Sequence, residues 1–246
     1  MDLTKVYDSI SISKLWEVLG ESNINNTLIK ALQNLYGNTA QVKIGNKLSH
    51  PFNITKGLHQ GCCISPTPFQ IYIRKVLEEW KCKCSGMGIP LENTTLYTLQ
   101  FADDQVVSAG DKEDLEYMTH TLKETYEKWG LDMNLNKTKF LCTGETHSNL
   151  KLDEDSEIEF CQEYKYLGVI FDTSGTDNKE IRSRVIQARK CLACLNGILW
   201  SNDIRRERNL NIYNALIKSS LLYGSETWRL AEKINKRRVE ATEMMP

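Results

Sequence analysis

The chain has 246 residues, of which 41% are hydrophobic and 26% charged, and its net charge at neutral pH is −1. That is enough apolar material for a buried core in one large domain or two small ones. No stretch approaches a membrane span, and the N-terminus lacks the basic-then-apolar layout of a signal peptide, so an intracellular protein with no membrane partner is expected. Its eight cysteines are then reduced thiols rather than a disulfide framework. Cys82 and Cys84, like Cys191 and Cys194, have no His at finger-like spacing, so no zinc is expected. The small net charge hides an asymmetry: residues 1–172 hold 17 Lys+Arg against 24 Asp+Glu, a balance of −7, and residues 173–246 hold 14 against 8, a balance of +6. The C-terminal part is the one suited to phosphate backbones, although a run such as Arg205-Arg206-Glu207-Arg208 also fits a solvated helix face.

After an opening segment Asp2-Leu3-Thr4-Lys5-Val6-Tyr7-Asp8, Ser11 to Leu19 reads as a short capped helix, and Ile24 to Leu35 as another, ending at Gly37. Gln41 to Ile44, Gly45-Asn46 and Leu48 to Ile54 read as a hairpin leading to Gly57-Leu58-His59-Gln60-Gly61. Ser65-Pro66 starts a helix whose Phe69, Tyr72, Val76 and Trp80 share one face. Leu99 to Ala102 and Gln105 to Val107 are strand-like runs around Asp103-Asp104, two carboxylates at a hairpin tip. Adjacent acids desolvate expensively, and a divalent cation with a need for hard oxygen ligands explains the pair, as does a plain solvated turn. Asp111 and Asp114 open a helix with Leu115, Met118, Leu122, Tyr126 and Trp129 on one face and Gly130 after its end. From Asn178 the pattern becomes helical, with Ile181, Val185, Ala188, Leu192, Leu195 and Leu199 on one stripe and a second helix from Leu210 to Leu222. Strands with hairpins, helices packed on one sheet face and a helical second part define an α+β class.

Five segments in order, Asp2 to Asp8, Gln60-Gly61-Cys62-Cys63-Ile64-Ser65-Pro66, Phe101-Ala102-Asp103-Asp104, Gly130-Leu131 through Asn136-Lys137-Thr138-Lys139, and Tyr166-Leu167-Gly168, resemble the reverse transcriptases of non-LTR (LINE-type) retrotransposons. The resemblance runs from Asp2 to about Trp228. It implies a polymerase palm over 1–172, an antiparallel sheet with helices on one face, followed by a helical thumb-like region over 173–246. It further implies RNA-directed DNA synthesis with an RNA template, a DNA primer and dNTPs as partners, and two magnesium or manganese ions.

Nucleotidyl transfer of this kind places two cations between carboxylates from separate strands. The resemblance assigns metal binding to Asp2, Asp103 and Asp104. It places Tyr7 against the sugar of the incoming nucleotide, where a ring excludes a 2′-hydroxyl, and Gln60-Gly61 at the template–nucleotide pair. Lys137 matches a cation near the leaving phosphate, and Tyr166-Leu167-Gly168 a hairpin that grips the primer end. Each has a plainer counterpart: Tyr7 as a core residue, Gly61 as a turn, Lys137 as an exposed strand end, residues 166–171 as a buried strand. Asp8 fits the family pattern without a metal role.

Family members carry a fingers region upstream of the first catalytic Asp, and a palm strand would have several residues before Asp2. A fragment of a longer reading frame is therefore expected, missing its fingers and ending early at Met244-Met245-Pro246, with polymerase activity by this chain alone not expected. A non-catalytic nucleic-acid-binding remnant and a degenerate retroelement fossil are the competing readings. A nuclear location is implied by the family alone.

Overall fold

The computed structural model describes residues 1–37, 39–144, 148–153, 156–201, 203–229 and 233–243; the Met244-Met245-Pro246 ending lies outside them. The chain forms two compact units, Met1–Phe140 with Asn149–Glu159, and Leu141–Ser148 with Phe160–Pro246. The hairpin just before Asp172 groups with the helices that follow it, because it packs on the first of them.

In the first unit a single turn, α1 (Val6–Ser9), precedes α2 (Ile12–Glu21) and α3 (Asn26–Tyr36). Helical spacing buries Leu15, Val18 and Leu19 on α2 and Ile29, Leu32 and Tyr36 on α3. The Asn25 side chain caps α3 by accepting the Thr27 N–H at 2.8 Å. Ser11 does not cap α2, since its hydroxyl is shared with that of Ser13. The strands β1 (Thr39–Ala40), β2 (Lys43–Ile44), β3 (Lys47–Leu48) and β4 (Phe52–Asn53) nest one antiparallel pair inside another, β2 with β3 and β1 with β4. This is the hairpin expected before the Gly57–Gly61 loop.

Helix α4 (Pro66–Lys83) buries Phe69, Tyr72, Ile73, Val76, Leu77 and Trp80. Two hairpins follow, β5 (Ile89–Leu91) with β6 (Thr94–Leu96), then β7 (Thr98–Phe101) with β8 (Asp104–Val107). Helix α5 (Lys112–Lys128) begins where the Asp111 carboxylate accepts the Asp114 N–H, and it buries Met118, Leu122 and Tyr126 against α4. Trp80 donates its indole N–H to Met118 O at 2.9 Å and Tyr72 its hydroxyl to Trp129 O at 2.6 Å, so the large aromatic groups of this core are satisfied. The strands β9 (Lys139–Phe140), β10 (Leu150–Lys151) and β11 (Glu157–Phe160) form a sheet in the order β10-β11-β9.

In the second unit β12 (Glu163–Tyr166) and β13 (Val169–Asp172) make a hairpin, followed by the long helix α6 (Asn178–Leu199). The expected helix at 210–222 is α7 (Arg206–Ile212), a π-helical turn at Tyr213–Lys218, and α8 (Ser219–Leu221). Ile181, Val185, Ala188, Tyr213, Ile217 and Leu221 form its core, and α9 (Lys233–Glu243) packs on α6. The α+β class holds. Instead of one continuous antiparallel sheet, the described strands, two to four residues long, form six small sheets.

Candidate active site

Residues 1–4 are threaded between the β7–β8 hairpin and the loop after α5. On one side the Gln105 N–H donates to Met1 O at 3.3 Å and the Met1 amino group donates to Gln105 O at 2.6 Å. On the other, the Asn134 N–H donates to Asp2 O at 2.9 Å, the Thr4 N–H to Asp132 O at 2.8 Å, and Leu3 bridges Met133. Asp2 is thereby flanked by Asp103-Asp104 on one neighbour and by Lys137 on the other. Its N–H donates to the Thr138 hydroxyl at 3.3 Å, and its Oδ2 lies 3.3 Å from Lys137 Nζ.

The register Phe101↔Asp104 leaves Ala102-Asp103 as a two-residue loop, with Ala102 in the left-handed region at φ 54. Asp104 opens β8. Behind the tip, the buried Gln105 side chain accepts from the Tyr126 hydroxyl and donates to the Thr98 hydroxyl at 2.9 Å, which pins the hairpin to α5. Burial lowers the pKa of the Met1 amino group against the raising pull of the Asp104 and Asp2 charges.

Tyr7 stacks on Phe69 with ring centroids 4.8 Å apart. Burial foremost, with the Asp103 carboxylate and Tyr36, pushes its hydroxyl pKa up, which keeps it protonated. The backbone of the Tyr7 segment and the Gln60-Gly61 loop are tied together: Leu58 N–H donates to Tyr7 O at 2.7 Å and Gln60 Nε2 donates to Asp8 Oδ1 at 3.0 Å. Gly57, at φ +96, lies where a Cβ would come within 3.3 Å of the Asp8 Cα, so the loop's close approach requires glycine there. Gly61, at φ +80, has open space around it.

Two contributors lacked an expected role. Asp8 holds the Gln60 amide. Ser65, at the helix start, does not cap it: the residue is buried and donates to His59 O at 2.7 Å while accepting from the Tyr36 hydroxyl at 2.7 Å. A serine before a proline signals a helix start, and nothing in the sequence distinguishes a cap from a loop clamp.

The carboxylates of Asp2, Asp103 and Asp104 are hard oxygen donors of the kind magnesium and manganese prefer. The donor set fits such ions in kind. Among the described residues, however, no three His, Cys, Asp or Glu side chains converge to enclose an ion, and Lys137 neutralises Asp2. The Tyr166-Leu167-Gly168 hairpin belongs to the second unit. Its register pairs Tyr166 with Val169, and both turn residues are left-handed, Leu167 at φ 48 and Gly168 at φ 85, as a two-residue hairpin turn of the primed type demands.

A family model described as reverse transcriptase (RNA-dependent DNA polymerase) matches residues 1–171, and the chain belongs to that family, in its non-LTR retrotransposon form. It is similar to the RNA-directed DNA polymerase from mobile element jockey of Drosophila funebris, 26% identical over 204 residues, covering 78% of this chain and 22% of that protein. A transposon-derived protein of Caenorhabditis elegans is 27% identical over 154 residues, covering 58% of this chain and 52% of its own. The retrovirus-related Pol polyprotein of a type-2 retrotransposable element of Drosophila melanogaster is 24% identical over 187 residues, covering 71% and 17%. The chain thus spans about half or less of the length of these relatives. No helix among the described residues is long and apolar enough to cross a membrane.

Proposed function

We propose that this chain comprises the palm and an adjoining helical thumb of an RNA-directed DNA polymerase that adds dNTPs to a primer 3′ end on an RNA template. One observation carries the reading: Asp2 is threaded between β8 and residues 132–134, beside the Asp103-Asp104 hairpin and 3.3 Å from Lys137. Asp2, Asp103 and Asp104 would hold two magnesium or manganese ions, which when bound supply an activated primer hydroxyl and a neutralised leaving pyrophosphate.

The rest falls to the chain's own groups. Lys137 is the proton donor to the leaving phosphate; its pair with Asp2 is open to solvent on the lysine side and worth about 1 kcal/mol, so the ammonium can leave the carboxylate at small cost. Tyr7, braced by Phe69, bars a 2′-hydroxyl and so selects dNTPs. Gln60, oriented by Asp8, and Gly61 face the template–nucleotide pair. Tyr166-Leu167-Gly168 contacts the primer end, and the exposed basic residues of the 173–246 region, whose overall balance is +6, meet backbone phosphates.

A second reading, a non-catalytic nucleic-acid-binding remnant, is favoured by the Lys137–Asp2 pair and by the lack of a closed ligand set among the described residues. Primer extension on an RNA template with dNTPs and magnesium separates the two. DNA product from the chain, alone or joined to upstream residues of a longer polymerase frame, and none from Asp103→Ala in the same context, supports the polymerase. Salt-sensitive, metal-indifferent binding without product from either protein overturns it in favour of the remnant.

A further inference from the structure

Both carbonyls of the Leu167-Gly168 turn are taken by side chains from the helical part of the second unit. The Arg184 guanidinium donates to Gly168 O, and the Tyr223 hydroxyl donates to Leu167 O at 2.7 Å. The guanidinium lies 4.6 Å from the Tyr223 ring centroid, so the two straps brace each other. Glu180, one helical turn before Arg184, pairs with Arg184 Nε and accepts the Ile170 N–H at 2.8 Å. Gly168 completes the fit, since a Cβ there would meet the Tyr223 ring at 3.0 Å.

This network exceeds what closing the hairpin requires. The Tyr166↔Val169 register already closes it. Yet Glu180 and Arg184 are only 2% and 8% exposed, and a buried ion pair is an expensive way to hold a turn. The held turn is strained as well: Leu167 keeps φ 48, which side-chain-bearing residues rarely adopt, while remaining 37% exposed at the tip. A strained, exposed apolar tip clamped by a buried polar network is the arrangement of a preorganised contact surface.

We infer that Arg184, with Tyr223, is a positioning residue that presets the Tyr166-Leu167-Gly168 tip for the 3′ end of a primer strand. The inference rests on the reading of this hairpin as the primer contact. Arginine suits the task because its planar fork serves the Glu180 carboxylate and the Gly168 carbonyl together while its face stacks on Tyr223. Lysine keeps the charge and loses the fork.

The test is photo-cross-linking of the full chain to a primer–RNA duplex whose primer ends in 4-thiothymidine, with the cross-linked peptide mapped by mass spectrometry. Arg184→Lys and Tyr223→Phe are compared with the unaltered protein. Cross-linking at residues 166–168 is expected in the unaltered protein and should fall about threefold to tenfold in each variant through loss of precise placement. Affinity for the duplex, dominated by phosphate contacts, should change less than about twofold, which a general loss of structure would not allow. Unchanged cross-linking in the variants overturns the positioning role and leaves the primer contact intact. Absence of cross-linking at the tip of the unaltered protein overturns the primer contact and the inference with it. Should Arg184→Lys fail to fold by circular dichroism, Tyr223→Phe, which removes one hydroxyl, decides alone.

Discussion

Lys137 Nζ stands 3.3 Å from Asp2 Oδ2, so a side-chain cation occupies the neighbourhood in which the proposed metal ligands lie. The two cations must compete for the same carboxylate. Lys137 is 72% exposed at its side chain, which keeps the pair weak.

Lys137→Met therefore tightens manganese binding, followed by the loss of the free-ion electron paramagnetic resonance signal, by about twofold to fivefold, the equivalent of an exposed ion pair. The same variant slows primer extension by about a hundredfold if the lysine donates the proton to the leaving group. Unaltered manganese affinity would show that the pair does not guard the site.

Behind the hairpin tip, Tyr126 donates its hydroxyl to the buried Gln105 side chain, and burial pushes the Tyr126 pKa well up, so the phenol remains a donor at any working pH. Tyr126→Phe leaves a buried amide oxygen without its partner and destabilises the first unit by about 1–3 kcal/mol. Adding Gln105→Met to that variant recovers part of the loss in a urea unfolding series, because the orphaned amide oxygen is removed, while the Thr98 hydroxyl, which loses the Gln105 donor, keeps its bond to Val106 O. Equal midpoints for the single and double variants would contradict this account.

The elements that local pattern specifies were legible in the sequence. The acids Asp103-Asp104 between two apolar runs mark the β7–β8 tip, and the spacing of Phe69, Tyr72, Val76 and Trp80 marks the buried face of α4. Contacts between distant segments were not legible. Nothing near Met1 announces Gln105 as its partner, and nothing near Arg184 announces Gly168. An arginine beside the stripe Ile181–Val185 reads as solvated; only the fold shows it buried against Glu180. Asp8 and Ser65 illustrate the same limit, since a hydrogen-bonding side chain names its chemistry and not its partner.

Glu79 joins α4 to the end of α5, with Oε1 2.6 Å from Lys128 Nζ and Oε2 accepting the Trp129 indole N–H at 3.0 Å. Lys128 and Trp129 hold its carboxyl below the ordinary value of 4.5. A carboxyl depressed on folding contributes stability that is complete above the unfolded pKa and is lost as the pH falls through the folded one. The melting temperature should thus be level from neutrality to about pH 5 and decline below it, and Glu79→Gln should flatten the decline. Some slope persists in the variant, because Asp153, lowered by Lys123 and Ser156, titrates in the same direction. An acid limb unchanged by Glu79→Gln would assign the effect elsewhere.

The buried Glu180–Arg184 pair makes an asymmetric prediction for the second unit. Glu180→Ala strips Arg184 of its carboxylate and the Ile170 N–H of its acceptor, leaving a charge and a backbone donor inside the structure, and should cost about 3–5 kcal/mol. Glu180→Ala with Arg184→Met removes the charge along with its partner, and apolar replacements of buried pairs are often neutral or stabilising. The double variant should therefore unfold at a higher urea concentration than Glu180→Ala alone, while the Val169 amide of the closing Tyr166↔Val169 pair, once the strap on Gly168 is gone, exchanges faster than in the unaltered protein. Stability restored together with slow exchange at the turn would mean that Tyr223 and the hairpin's own ladder suffice to hold it. Stability restored with fast exchange would separate two roles in one ion pair, with the carboxylate needed to neutralise the arginine and the arginine needed to fix the tip.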